Sequence, residues 1–360
     1  MVGLAALDPP YTRVARRKAA SAMNRFLLAV RGFVTSKRFL SCFGHLLVLL
    51  VFTGAARLLY VELNKPEYSV ANIKDGLRWI AVKHPWRIII ASLLTVLNFV
   101  ILVGYDWFAV RYVGEKKLPL RKIALASFIT YAFSLNFGAS LFGTSIRYRL
   151  YSVWGVPLVK IVELLVILGL TFWFGVFTLA GVIFTVAPFK VPATLVEELK
   201  IIPFHHTFWV GILLLMVSGS YVLLSALCRE PIRLWRWKIP VPPLKLTLCQ
   251  IVIACGDLIV AAAVLYTLLP PVEGGYVRVL GVWMLAYVGV VISHVPGGYG
   301  FQEWVVLAFC PGHRVAAALI VFRVIYYWVP LAIASALLGG HELVTKNGAG
   351  TDSGTVPTDK

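Results

Sequence analysis

The sequence predicts an all-α polytopic membrane protein, with about six full transmembrane helices and two re-entrant broken helices arranged as an inverted repeat. Three observations point there. Of 360 residues, 59% are hydrophobic and only 14% charged, where a soluble domain carries about 25% charged residues. The apolar residues gather into runs of about 20 or more, enough to cross a bilayer. Two of those runs, Ser134–Arg149 and Ser293–Trp304, are interrupted by Gly, Pro and polar residues. Hydrocarbon offers a bare backbone no hydrogen bonds, so a break at membrane depth implies shielding by protein or a wet cavity. One break in each half of a chain is the pattern of a transport site built from inverted repeats.

The elements follow in order. Residues 1–38 form a basic cytoplasmic arm with eight Lys/Arg, too long and too charged for the leading region of a cleavable signal. Within it, Arg/Lys alternate with Phe26, Leu27, Val30, Phe33 and Val34, which fits either an amphipathic helix on an anionic leaflet or a basic tail that enforces orientation. Phe39–Tyr60 is the first span, Arg87–Val110 the second, and a basic loop from Arg111 to Lys122 follows. Ile123–Ser145 is the first broken segment; Leu158–Ala187 and Thr207–Cys228 are spans, with an amphipathic stretch at Pro188–His206 between them. After the basic loop Arg229–Lys245 come the span Leu246–Leu269, the second broken segment Tyr276–Cys310, and the last span Ala316–Leu338. The lipid-handling transmembrane domain thus covers 39–340, and 341–360 is expected to be a disordered polar tail.

Charge tests the topology. The net charge is +18, but the cations lie in short loops beside apolar spans, where they set orientation and attract anionic lipid, so no nucleic-acid partner is expected. With both termini cytoplasmic, and each broken segment entering and leaving on one side, 23 Lys/Arg fall inside against about ten outside. The 61–87 loop runs against this bias, with five Lys/Arg outside, partly balanced by Glu62, Glu67 and Asp75. The first hairpin would open to the cytoplasm and the second to the opposite side.

An ionisable group at mid-bilayer costs on the order of 2.5–3.5 kcal/mol, so Asp106, Glu163, Asp257, Glu303 and Arg323 each need a partner or a wet cavity. Arg323, deep in the last span, fits a phosphate with its guanidinium fork; the alternative is a fixed ion pair with Asp257 at similar depth. Glu303 falls in the first turn of a half-helix starting at Phe301, where a carboxylate is favoured, and could face a cationic headgroup or a coupling proton. Arg147 and Arg149, just past the first break, are candidates for anionic oxygen or ordinary cytoplasmic cations. Asn136, Gly138 and Gly143 in the first break, and Pro296, Gly297, Gly298 and Gly300 in the second, release backbone groups. Asp106 is expected to pair with Arg111, and Glu163 with Arg147 or Arg149. Tyr105, Trp107 and Tyr112 read as interfacial belt residues, and His294 as a hydrogen-bonded residue of the break. The five cysteines show no metal spacing. With no P-loop, nucleophile elbow or HExxH, neither cofactor nor metal is expected.

GYDWFAVRY at 104–112, LNFGASLFGTSIRYRLYSVWGV at 135–156, TFWFG at 171–175 and VPGGYGFQE at 295–303 together resemble the transmembrane region of the lysylphosphatidylglycerol synthases, also found as stand-alone bacterial inner-membrane proteins. The resemblance spans about residues 40 to 340. It implies a flippase-like domain without the soluble aminoacyl-transfer domain, hence a transporter and not an enzyme, with Arg147, Arg149, Glu303 and the Pro296–Gly300 break at matching positions. Asp257 and Arg323 join this substrate set on the argument from burial alone. The expected partner is a membrane phospholipid with an anionic or aminoacylated headgroup. The alternative is a non-transporting lipid-binding accessory or scaffold for an enzyme of envelope-lipid synthesis.

Overall fold

A computed structural model describes residues 66–138, 142–189, 207–227, 242–293 and 295–351, with two short strands between 232 and 239 and isolated positions before 66. The basic arm, nearly all of the span at Phe39–Tyr60, most of the amphipathic stretch after Pro188, and His294 lie outside the described residues.

The chain is an all-α polytopic membrane protein, apart from one hairpin of strands, β1 (Ile232–Leu234) and β2 (Trp237–Ile239). A short helix, α1 (Val70–Arg78), is capped by Ser69, whose hydroxyl accepts the Asn72 amide at 3.4 Å. Beyond it come α2 (Pro85–Tyr112), α3 (Leu120–Phe137), α4 (Thr144–Val153), α5 (Leu158–Val186), α6 (Thr207–Leu227) and α7 (Leu244–Leu268). The chain continues with α8 (Gly275–Ser293), α9 (Phe301–Phe309), α10 (His313–Phe322), a π-helical segment at Arg323–Trp328, and α11 (Val329–Thr351). The last helix therefore continues eleven residues into the stretch expected as a polar tail.

Proline sets several starts. Pro85 occupies the first turn of α2, and Pro119, Pro157 and Pro243 sit just before α3, α5 and α7, where a missing N–H costs nothing and φ is already suited to a helix. Among the described residues, five helices of 21 to 29 residues are long and apolar enough to cross a bilayer: α2, α5, α6, α7 and the run His313–Gly340. They correspond to five of the six expected full spans.

Small residues let these helices approach. A β-carbon on Gly175 of α5 would sit 2.1 Å from the Ala254 β-carbon of α7. On Gly181 of α5 it would meet the Leu215 side chain at 2.8 Å, and on Gly211 of α6 the Thr185 hydroxyl at 2.6 Å. Gly76 likewise seats α1 on Ala317 of α10. Around α7 the buried side chains form two cores, one with α8, α9 and α10, the other among α2, α3, α4 and α5. Leu93, Val96 and Val100 of α2 and Leu213, Met216 and Leu223 of α6 are exposed, as lipid-facing positions must be.

Two long-range contacts fix relative levels. Arg87, at the start of α2, donates to the carbonyls of Thr267 (3.2 Å) and Leu269 at the end of α7, so these helices run antiparallel. The Gly312 amide, preceding α10, donates to the Tyr68 hydroxyl at 3.2 Å, which brings the start of α10 to the level of α1.

Gly175→Leu is expected to lower stability by at least about 1–3 kcal/mol, the usual cost of forcing volume into a packed contact. Gly169→Ala on the same helix, where a β-carbon meets nothing within 4 Å, is expected to be neutral or stabilising. Thermal unfolding of the detergent-purified protein measures both.

Candidate functional site

Both expected breaks are present. The first follows α3, which ends at Gly138 with φ 92°, a left-handed conformation that glycine alone adopts cheaply. The chain resumes as α4, whose fourth residue is Arg147. That side chain points into the protein: its Nε and Nη2 each donate to Asp106 of α2 at 3.0 Å, and the guanidinium lies over the Tyr131 ring, 5.0 Å from its centre. Tyr151 adds a third donor to Asp106 at 3.2 Å. Asp106 is wholly buried and Arg147 nearly so.

This corrects three expectations. Asp106 does not pair with Arg111, because five residues along a helix is not the same face; Arg111 instead donates to the Lys116 carbonyl. Glu163 pairs with Lys160 one turn away, at 3.1 Å, and not with Arg147 or Arg149. Tyr105 is buried inside the bundle and is not an interfacial belt residue. Arg149, two residues past Arg147, is exposed.

At the second break, Gly297, Gly298 and Gly300 all take positive φ (63°, 63° and 82°). A β-carbon on Gly297 would collide with the Asn136 carbonyl at 2.7 Å, and one on Gly298 with Val290 at 2.7 Å. The turn frees two carbonyls and one amide from helical pairing, and two side chains take them up. Arg323 donates from Nη1 to the Gly297 carbonyl at 2.5 Å and from Nη2 to the Gly298 carbonyl at 3.1 Å. Its Nε donates to Glu303. Glu303, in the first turn of α9 as expected, accepts the Gly300 amide at 2.9 Å with its other oxygen. The Arg323 guanidinium also lies over the rings of Tyr299 (4.5 Å) and Tyr327 (4.3 Å), a cation–π arrangement strengthened by exclusion of water.

The two breaks touch. Asn136, one residue before the end of α3, accepts the Tyr299 hydroxyl at 3.0 Å. It donates to the carbonyls of Ala132 (2.8 Å) and Tyr327 (3.2 Å). Trp328 donates its indole N–H to the same Tyr299 hydroxyl at 2.9 Å, and Tyr327 donates to Gln302 at 3.0 Å. Gln302 Nε2 and Thr130 Oγ1 are buried polar atoms without a partner. One junction therefore joins α3, the PGGYG turn, the start of α9 and the π-helical segment.

Asp257 stands apart from it, and the alternative of an Asp257–Arg323 pair is not realised. Arg323 is drawn to the freed carbonyls and to Glu303, while Asp257 faces α2. Asn98 donates to Asp257 Oδ1 at 2.7 Å and to its backbone carbonyl at 2.9 Å. Tyr105 donates to Oδ2 at 3.1 Å, and Tyr326 donates to Asn98 Oδ1 at 2.7 Å. Of the substrate set, Glu303 and Arg323 meet at the junction, Arg147 lies on the neighbouring α4, and Arg149 does not join them. Sequence reasoning missed Asn98, Tyr299, Gln302, Tyr326 and Tyr327. The available signal was the aromatic run Tyr326–Trp328, about one turn after Arg323, and the tyrosine inside PGGYG. Among the described residues, no three His, Cys, Asp or Glu side chains converge as metal ligands would.

No protein-family model matches the chain. It is 38% identical over 260 residues to an uncharacterised Synechocystis protein, slr0712, covering 71% of this chain and 79% of that one. It is 32% identical over 267 residues to the inner membrane protein YbhN of Escherichia coli, covering 71% and 81%. The chain belongs to the family of YbhN. A shorter match, 34% over 84 residues, links 21% of the chain to 10% of a phosphatidylglycerol lysyltransferase of Staphylococcus haemolyticus. Kinship with the lysylphosphatidylglycerol synthases is therefore found over about a fifth of the chain, narrower than the expected 40 to 340.

Removing one partner of a buried ion pair leaves an uncompensated charge, at about 3–5 kcal/mol. Asp106→Ala is expected to destabilise on that scale, whereas the double variant Asp106→Leu/Arg147→Met, which removes both charges, is expected to recover most of the loss. Unfolding midpoints of the wild type and both variants in one detergent measure it.

Proposed function

We propose that this member of the YbhN family is an inner-membrane translocator that moves a phospholipid or related amphiphile between leaflets. The observation that carries the reading is the meeting of two broken segments through Asn136, Gly297 and Tyr299. The tails of a lipid can stay in hydrocarbon, so only the headgroup needs a polar route, and two polar breaks touching inside the bundle supply its two halves.

Each break is a hairpin that enters and leaves by one face. For the second, the end of α7 and the start of α10 both lie at the level of α1 and the start of α2, as the Arg87 and Tyr68 contacts support. Its returning arm α9 has nine residues, about 14 Å, roughly half the hydrocarbon thickness. For the first, the Asp106–Arg147 pair holds the returning α4 beside the far end of α2. The hairpins open to opposite faces, and the bias of Lys/Arg puts both termini in the cytoplasm. In the arrangement described, Arg323 and Arg147 are engaged by protein partners. A headgroup phosphate would reach Arg323 by exchanging with Glu303 or the Gly297 and Gly298 carbonyls, and the positive charge of an aminoacylated headgroup would go to Glu303. Arg149, already exposed, would receive phosphate at the cytoplasmic mouth.

The second reading, a lipid-binding accessory protein for an envelope-lipid enzyme, is favoured by the same saturation of Arg147 and Arg323, since a permanently closed junction would pass nothing.

Reconstitution into vesicles with a fluorescent phospholipid, followed by chemical quenching of the outer leaflet, separates the two. Protein-containing vesicles are expected to exchange the probe between leaflets faster than empty ones. Asn136→Ala and Tyr299→Phe, which open the junction, are expected to change that rate severalfold, and Glu303→Gln and Arg323→Ala to slow it at least tenfold. Rates equal to those of empty vesicles would overturn the translocator reading.

A further inference from the structure

Among the described residues, three carboxylates lie inside the bundle, Asp106 and Asp257 buried and Glu303 partly buried, and their surroundings differ in one respect. Asp106 is neutralised by Arg147 and Glu303 by Arg323. Asp257, 8% exposed, has only neutral hydrogen-bond donors, Asn98 and Tyr105. The titratable groups around it are neutral as well. They are Tyr105 from α2, Tyr131 from α3, Tyr287 from α8, Tyr326 from the π-helical segment and Cys255 on its own helix. On the other elements packed against α7, Lys160 and Glu163 of α5 pair with each other. His313 and Arg314 of α10 face Asp75, and Tyr221 of α6 stacks on Phe174. Among the described residues, no Lys or Arg pairs with Asp257.

A buried carboxylate without a counter-charge is costly unless something neutralises it, and the partners of Asp257 suit one neutraliser in particular. Asn98 Nδ2 donates to Oδ1 in both states, but more strongly to the ionised acid, so a change of charge is felt at Asn98. The Tyr105 hydroxyl donates to Oδ2 of the carboxylate, and would accept from Oδ2–H of the acid, because a hydroxyl can play either part. Both protonation states are thus hydrogen-bonded without moving a helix. Glu303 lacks this property, since a proton there would disrupt its bond to Arg323 or to the Gly300 amide.

The network also has an outlet. Asn98 Oδ1 accepts from Tyr326, and Tyr326 belongs to the π-helical segment that carries Arg323, Tyr327 and Trp328 into the junction between the breaks.

We propose that Asp257 is a reversible proton-binding site, taking a proton from water and returning it, and that its occupancy biases the junction through Asn98, Tyr326 and the π-helical segment. The step forms and breaks one O–H bond and moves no electrons. It does not depend on lipid translocation, so the test reads protonation directly.

Infrared difference spectra of the full-length protein in phospholipid vesicles are recorded as the buffer is stepped between alkaline and acidic. A carboxylic-acid carbonyl band, sensitive to deuterium exchange, is expected to rise on acidification in the wild type and to be lost in Asp257→Asn. In Tyr105→Phe, which removes the partner whose part reverses, its midpoint is expected to move. Deuterium uptake by the peptide spanning 295–300, corrected for intrinsic pH dependence, is expected to change across the same transition in the wild type and to be flat in Asp257→Asn. If every pH-dependent carboxyl band of the wild type persists in Asp257→Asn, the proton site is overturned. If uptake at 295–300 ignores the transition, the link to the junction is overturned. Should Asp257→Asn fail to fold, Tyr105→Phe decides, and an unmoved midpoint there overturns the proposal.

Discussion

Away from water, the backbone groups released where a helix breaks must find partners within the protein, and this requirement organises the junction between the two breaks. An unpaired carbonyl or amide away from water costs about 2–7 kcal/mol, so a PGGYG turn buried at Gly297 and Gly298 cannot stand alone. Arg323 and Glu303 take up the freed groups of Gly297, Gly298 and Gly300 while neutralising each other. A buried ion pair often fails to repay its own desolvation. Here it carries backbone hydrogen bonds on both partners and two aromatic faces on the guanidinium, which tips the balance towards keeping it.

Beside the first break there is also an ion pair between a half-helix and a span, with the charges exchanged. There the half-helix after the break carries the cation, Arg147, near its start, and the carboxylate, Asp106, comes from a full-length helix. In the second, the half-helix carries the carboxylate, Glu303, and the cation comes from the span. Each pair ties a short helix of nine or ten residues to a long one. Asp257 has no such tie. Its surroundings are the neutral side chains of Asn98 and Tyr105, with Tyr326 bonded to Asn98 behind them.

Membership in the YbhN family rests on similarity over 71% of the chain, whereas the tie to the phosphatidylglycerol lysyltransferases covers about a fifth. The chemistry proposed for this chain therefore leans on the meeting of the breaks and on the shielded charges around them. The junction between the breaks is made of hydrogen bonds to side chains, several on hydroxyls and amides that can re-pair.

Local chemistry was legible in the order of residues. Apolar runs of bilayer length, prolines at helix starts, the glycines of both breaks and the place of Glu303 in the first turn of α9 all depend on neighbours within a few positions, so sequence alone determined them. Partners in space were not legible. That Asp106 holds Arg147, that Asn136 meets Tyr299, and that Arg323 chooses Glu303 over Asp257 depend on which helices lie side by side and on which faces they share. Close contacts such as Gly175 on Ala254 set those neighbours, and only the folded bundle brings together residues 20 to 163 positions apart.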